Sequence, residues 1–256
     1  MDRIGQLLWY LNLAAMSALL LRLSATGLWR LYRVLFSYFL AMLGGSLLLL
    51  QISFRSNSYA LVYMVDEVIL HVLAWFTVLE LYRLALAKHS GLASFGRTTM
   101  WGVSAGVAFL ALVSALLDRD IPRGQSVILH RFFTVDRTLE MAIILLLLLI
   151  AVFITWFPVK MPGNAVLSIA GFSSFYIVRA GGLLAANLLP RAHLAAINDS
   201  MIAVSAALLL AWTVALRPAE NSQEVVTGHA WNPQALGELS RQLDTINTAL
   251  ARFGRG

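Results

Sequence analysis

Eight ionisable side chains stand inside stretches that are otherwise apolar: Asp66, Glu67 and His71, then Asp136, Arg137 and Glu140, then Arg179, and finally Asp199. A charge placed in hydrocarbon costs at least ~2.5–3.5 kcal/mol on insertion scales, so such residues pair with one another or line a path. Glu67 and His71 are four apart, as are Asp136 and Glu140, while Arg137 and Glu140 are three apart. On a helix each of these spacings puts the pair on one face. Five carboxylates against two arginines leave a formal −3 with His71 neutral. A dry site does not hold that excess fully ionised; protonation, water from outside or a cation has to balance it. Three chemistries fit. One is a closed polar network that fixes helix order, with Arg137 and Arg179 paired to carboxylates. The second is a pocket for a small cationic or polar ligand, and the third is a proton or ion relay.

Catalysis finds no foothold. No H-E-x-x-H, G-x-S-x-G, Walker or dinucleotide-binding loop occurs. With no cysteine there is no thiol nucleophile, thiolate zinc site or disulfide framework. The five histidines are scattered, and His71 with Glu67 makes only part of a metal-ligand set. Neither Lys88 nor Lys160 lies in a helix core, which removes a retinal Schiff base. The expectation is a protein that is not an enzyme and carries no metal or cofactor. Its eight charged residues are then candidates for ligand binding.

The elements that position them follow from composition. Of 256 residues, 59% are hydrophobic and only 12% charged. Soluble domains carry about twice that charge, so the chain belongs in a bilayer. A spanning helix needs about 20 apolar residues. Seven stretches qualify: Ile4–Leu23, Val34–Ile52, Ala60–Arg83, Thr98–Leu117, Val127–Phe157, Asn164–Leu188 and Leu194–Leu216. The fifth is polar at its start, which places its true entry near Phe133. The first keeps its place as an uncleaved helix, because Arg22 interrupts its end and no small-residue cleavage site follows.

Seven crossings put the termini on opposite sides. With the N-terminus outside, eleven cations fall in inner segments (Arg22, Arg30, Arg33, Arg83, Lys88, Arg97, Lys160, Arg217, Arg241, Arg252 and Arg255). Six fall in outer ones: Arg3, Arg55, Arg119, Arg123, Arg131 and Arg191. The positive-inside rule favours this orientation, N-terminus outside and C-terminus cytoplasmic. The net charge of +6 is then read as topology and contact with anionic lipid, not as a nucleic-acid footprint. In this frame the charged residues of the third, fifth, sixth and seventh spans converge on the outer half of the bilayer.

Small residues predict close helix contacts at Gly44-Gly45-Ser46, Gly102-x3-Gly106, Gly171 and Gly181-Gly182. Glu80-Leu81-Tyr82-Arg83 reads as an inner interface anchor in which Glu80 and Arg83 pair. Residues 1–216 thus form the transmembrane domain, 217–232 a linker, and 233–253 a cytoplasmic helix. Asn232-Pro233 supplies an N-cap and a first-turn proline. Leu236, Leu239, Leu243, Ile246, Leu250 and Phe253 then step by 3, 4, 3, 4 and 3, a heptad seam. A lone helix under three heptads is marginal in water, so the seam predicts a cover. That cover is the bundle or membrane surface, a homodimer mate, or another protein.

Taken together, these features resemble two groups. The seven spans, outer polar cluster, Glu80-Leu81-Tyr82-Arg83 edge and trailing heptad are similar to the uncharacterised multi-pass membrane proteins of Acidobacteria-type genomes. The pattern also resembles, more loosely, the seven-helix input regions of bacterial sensor kinases. His229 precedes the heptad helix instead of lying on it, so no phosphoacceptor carries over. The resemblance implies sensing or scaffolding in a bacterial inner membrane without intrinsic catalysis. A non-catalytic subunit of a larger membrane complex and a small proton- or cation-coupled transporter are the alternatives.

Overall fold

The computed structural model describes residues 3–53, 56–86, 127–156, 160–188, 193–218 and 224–226, with single helical positions between 101 and 109 and between 237 and 248. Among the described residues it is helical almost throughout. The helices are α1 (Arg3–Ala25), α2 (Arg33–Gln51), α3 (Asn57–Ala85), α4 (Val127–Trp156), α5 (Gly163–Leu188) and α6 (Leu194–Ala215). All six are long and apolar enough to cross a membrane. They match six predicted spans in order. The span expected at Thr98–Leu117 lies outside the described residues except for Trp101, Gly102, Ala105, Gly106 and Phe109, which are helical.

The helices are apolar all round, as membrane spans are. Leu7, Leu21, Leu61, Val68, Leu145 and Val214 face outward and are more than half exposed. Water would not tolerate so continuous an apolar surface; lipid does. Inward, Tyr38 and Phe39 of α2 interlock with Phe172, Phe175 and Tyr176 of α5 and with Trp212 of α6, mostly edge to face. Gly171 makes this packing work, because a Cβ there would overlap the Trp212 ring.

Side chains satisfy helix ends at one pole of the bundle. The Glu80 carboxylate accepts hydrogen bonds from the main-chain N–H groups of Val34 and Leu35, each at 3.1 Å. It thereby fills the open amides that begin α2 and sets a negative charge at the positive end of that helix. Glu80 is buried in this role, a use beyond the pairing with Arg83 that its spacing predicts. At the same pole Arg22 donates to the carbonyl of Leu216 at 2.8 Å, and Asn164 both donates to and accepts from the backbone of Arg217. These bonds close the C-terminal end of α6, where open carbonyls favour a cation. The turn from α1 to α2 passes through Gly27 at φ 71°, a left-handed conformation suited to glycine, and a single 3-10 turn at Leu28–Arg30.

Two short strands complete this pole. β1 (Lys160–Pro162) pairs antiparallel with β2 (Glu224–Val226), Met161 opposite Val225. The segment read from sequence as a plain linker therefore returns to the α4–α5 connection, and the buried Met161 roots the pair in the core.

Chain direction follows from the contacts. Gly45 meets Asp66 while Val34 meets Glu80, so α2 and α3 are antiparallel. Tyr63 stacks edgewise on Phe132 at 6.4 Å and His71 faces Asp136, so α3 and α4 run parallel. The bundle thus has a Glu80 end and a Tyr63 end.

Candidate functional site

Three helices meet at Arg179. From α5 its Nη2 donates to Glu67 Oε2 of α3 at 2.6 Å, and its Nε donates to Glu140 Oε1 of α4. Glu67 and Glu140 are 7% and 1% exposed, so this is a buried bridge rather than a surface pair. The guanidinium is suited to it, because its donors lie in a fixed plane and its charge persists under burial. One helical turn along α3, His71 places Nδ1 2.8 Å from the main-chain carbonyl of Glu67. A carbonyl only accepts, so Nδ1 carries a hydrogen and donates it. Asp136 Oδ1 lies 3.6 Å from Nδ1, too far for a hydrogen bond.

The network is incomplete. His71 Nε2, Asp136 Oδ1 and Glu140 Oε2 are buried and have no hydrogen-bond partner. Three carboxylates against one guanidinium leave a formal −2 before His71 is counted. Beside them lies a partly open cavity of about 430 Å³. Glu67, Asp136, Glu140 and Arg179 form one wall, Asn12 and Asn198 contribute from α1 and α6, and Tyr63, Phe133 and Leu194 place the cavity toward the Tyr63 end.

Of the eight residues expected here, Glu67, His71, Asp136, Glu140 and Arg179 are brought together. Asp66 is half-buried on the neighbouring face of α3, where it packs against Gly45 so closely that a Cβ would overlap its carboxyl. Arg137 is not brought to the cluster. It is exposed, because one residue beyond Asp136 turns it about 100° around α4. Among the described residues, the internal counter-ion expected of it is supplied by Arg179. Asp199 is half-buried, and its neighbour Asn198 lines the cavity instead. Asn12, Asn198 and Tyr63 were missed as site residues; the sequence signal for Asn12 was an amide in the apolar middle of its span. Of the heptad residues, Ile246 is helical and half exposed. Leu236, Leu239, Leu243, Leu250 and Phe253 lie outside the described residues.

Comparison with protein-family models, curated proteins and solved structures finds no match to this chain. The site is therefore read from its own residues.

Proposed function

We propose that this chain is a seven-crossing integral membrane protein that binds a small cationic ligand from the outer face and reports its presence through the C-terminal helix. The observation that carries the reading is the cavity wall: three buried carboxylates share one arginine inside an apolar bundle, and polar atoms there lack partners. A structural network alone has no reason to leave a net negative wall beside open space. A cation is the ligand that such a wall attracts.

The seventh crossing is supported by chain direction. α3 and α4 run parallel, so the chain that leaves Leu86 at the Glu80 end has to return to the Tyr63 end before Val127. Trp101 lies beside Phe76, with ring centroids 6.2 Å apart, and Trp101 and Ala105 share a pocket wall with His71 and Trp75. The excess of inner arginines supports an outer Tyr63 end, a cytoplasmic Glu80 end and a bacterial inner-membrane setting. The resemblance to sensor-kinase input regions supports sensing without catalysis. In this reading the heptad helix is the output surface, covered by a homodimer mate or a cytoplasmic partner.

The test is thermal unfolding of the full chain in lipid nanodiscs with tetramethylammonium, putrescine and Zn²⁺ as probe cations. Stabilisation by one of them, lost in Asp136→Asn, is the expected result. If none stabilises the protein and a companion co-migrates at fixed stoichiometry on native gels, the chain is a non-catalytic subunit instead. Uptake of the stabilising cation into proteoliposomes along a pH gradient would make it a transporter.

A further inference from the structure

We infer that the cation is a divalent transition metal ion held by Glu67, His71 and Asp136, at the edge of this cavity, where Glu67 and Asp136 form its wall and His71 stands beside them. The inference deepens the reading above and rests on it for the role of the cavity. One ligand atom from each of these residues lies within 4.8 Å of the other two, which is within reach of a single ion after small side-chain shifts. The three residues come from two parallel helices, with two of them one turn apart on α3. The helices themselves therefore fix the ligand set, with no loop involved.

The second observation is independent of that spacing. Asp136 is 6% exposed and its Oδ1 has no partner, although it stands on the cavity wall. Glu140, 1% exposed, leaves Oε2 unpartnered on the same wall. An unsatisfied buried carboxylate oxygen is among the costliest groups a fold can carry, and a bound cation removes that cost.

His71 has the configuration of a metal-binding imidazole. Such rings donate one N–H to a carbonyl or carboxylate, which fixes the tautomer, and offer the other nitrogen as ligand. Here Nδ1 lies 2.8 Å from the Glu67 carbonyl and 3.6 Å from Asp136 Oδ1, and Nε2 has no partner, so His71 offers Nε2 to the ion once its ring turns toward the carboxylates. Glu67 Oε2 binds Arg179, so the ion shares this carboxylate with the guanidinium. Arg179 then acts as a positioning residue that holds Glu67 and Glu140 in place.

Charge and ligand type narrow the ion. A formal −2 is neutralised by a divalent cation and left uneven by a monovalent one. Magnesium and calcium prefer all-oxygen shells, whereas one imidazole with two carboxylates suits zinc, manganese, cobalt or iron. The absence of cysteine removes soft, thiolate-seeking ions from consideration.

The experiment uses the full chain, without a polyhistidine tag, stripped with chelator and reconstituted in nanodiscs. Co²⁺ is titrated in and followed by its visible absorption bands, with Zn²⁺ in competition, Mg²⁺ as control, and elemental analysis for stoichiometry. We expect one ion per chain, displaced by Zn²⁺ but not by Mg²⁺, with binding weakened at least ~10-fold in His71→Ala. His71→Gln and Asp136→Asn, closer in volume, are the second variants should His71→Ala fail to fold. Equal Co²⁺ binding by wild type and these variants, or no stoichiometric ion in wild type, overturns the inference. Stabilisation by tetramethylammonium without any metal uptake would sink the metal site and leave the cation-binding cavity standing. No stabilisation by either would sink both.

Discussion

Glu80 and Leu35 are 45 positions apart in sequence, yet the carboxylate of one accepts the main-chain N–H of the other at 3.1 Å. The same side chain takes the N–H of Val34. A helix start is normally capped by a neighbour in sequence; here the cap comes from the far end of the adjacent helix. The contact fixes how far α2 slides along α3, and so sets the height of Gly45 against Asp66 toward the other end of the pair.

Removing that cap should be felt as stability and not as binding. Glu80→Ala strands one buried and one half-buried N–H group, at a cost of roughly 1–3 kcal/mol. Glu80→Gln keeps one acceptor and should cost less. Thermal unfolding in nanodiscs reads both; a Glu80→Ala protein as stable as wild type would mean the cap is idle.

Arg179 should behave oppositely to a surface cation. Arg179→Gln leaves Glu67 and Glu140 facing each other unpaired, and breaking a buried pair from one side costs about 3–5 kcal/mol. Neutralising one partner as well, in Arg179→Gln with Glu140→Gln, should recover much of that loss. A double variant no more stable than the single one would remove the pairing account.

Two glycines on α5 make a matched comparison. Gly171→Ala drives a methyl into the Trp212 ring, which is rigid and buried, and should destabilise by about 1–3 kcal/mol. Gly181→Ala meets nothing within 4 Å and should be neutral or slightly stabilising. Equal unfolding temperatures for the two would refute close packing at Gly171.

Orientation is readable because the chain has no cysteine of its own. A membrane-impermeant maleimide applied to intact cells should label Ser58→Cys, at the Tyr63 end, and spare Leu31→Cys, at the Glu80 end. Labelling of Leu31→Cys alone would invert the topology and put the cavity on the cytoplasmic side.

Much of the fold and part of the site were legible in the sequence, for a physical reason. Hydrocarbon penalises charge so strongly that Glu67, His71, Asp136, Glu140 and Arg179 stood out against their spans. What stayed hidden depended on rotation about helix axes. Nothing in the sequence says that α4 turns Asp136 inward and Arg137 outward, or that α6 presents Asn198 to the cavity rather than Asp199. Those choices are made by packing partners. The reach of Glu80 to α2 was also illegible, because a side chain that caps a distant helix looks in sequence like any interfacial acid. The strand pair escaped for a similar reason: three residues show no periodicity, and each strand's partner lies some 60 positions away.

The pairing of Met161 with Val225 ties the polypeptide that leaves α6 to the three residues immediately ahead of α5. α5 is the helix that bears Arg179. Tension applied to the trailing chain therefore arrives at the root of the arginine helix, with almost no slack between them. Conversely, any tilt of α5 that follows a change at Arg179 is delivered to the tail as displacement. The short ribbon is a direct tie, and breaking its pairing, as Val225→Pro would, uncouples the two without touching either.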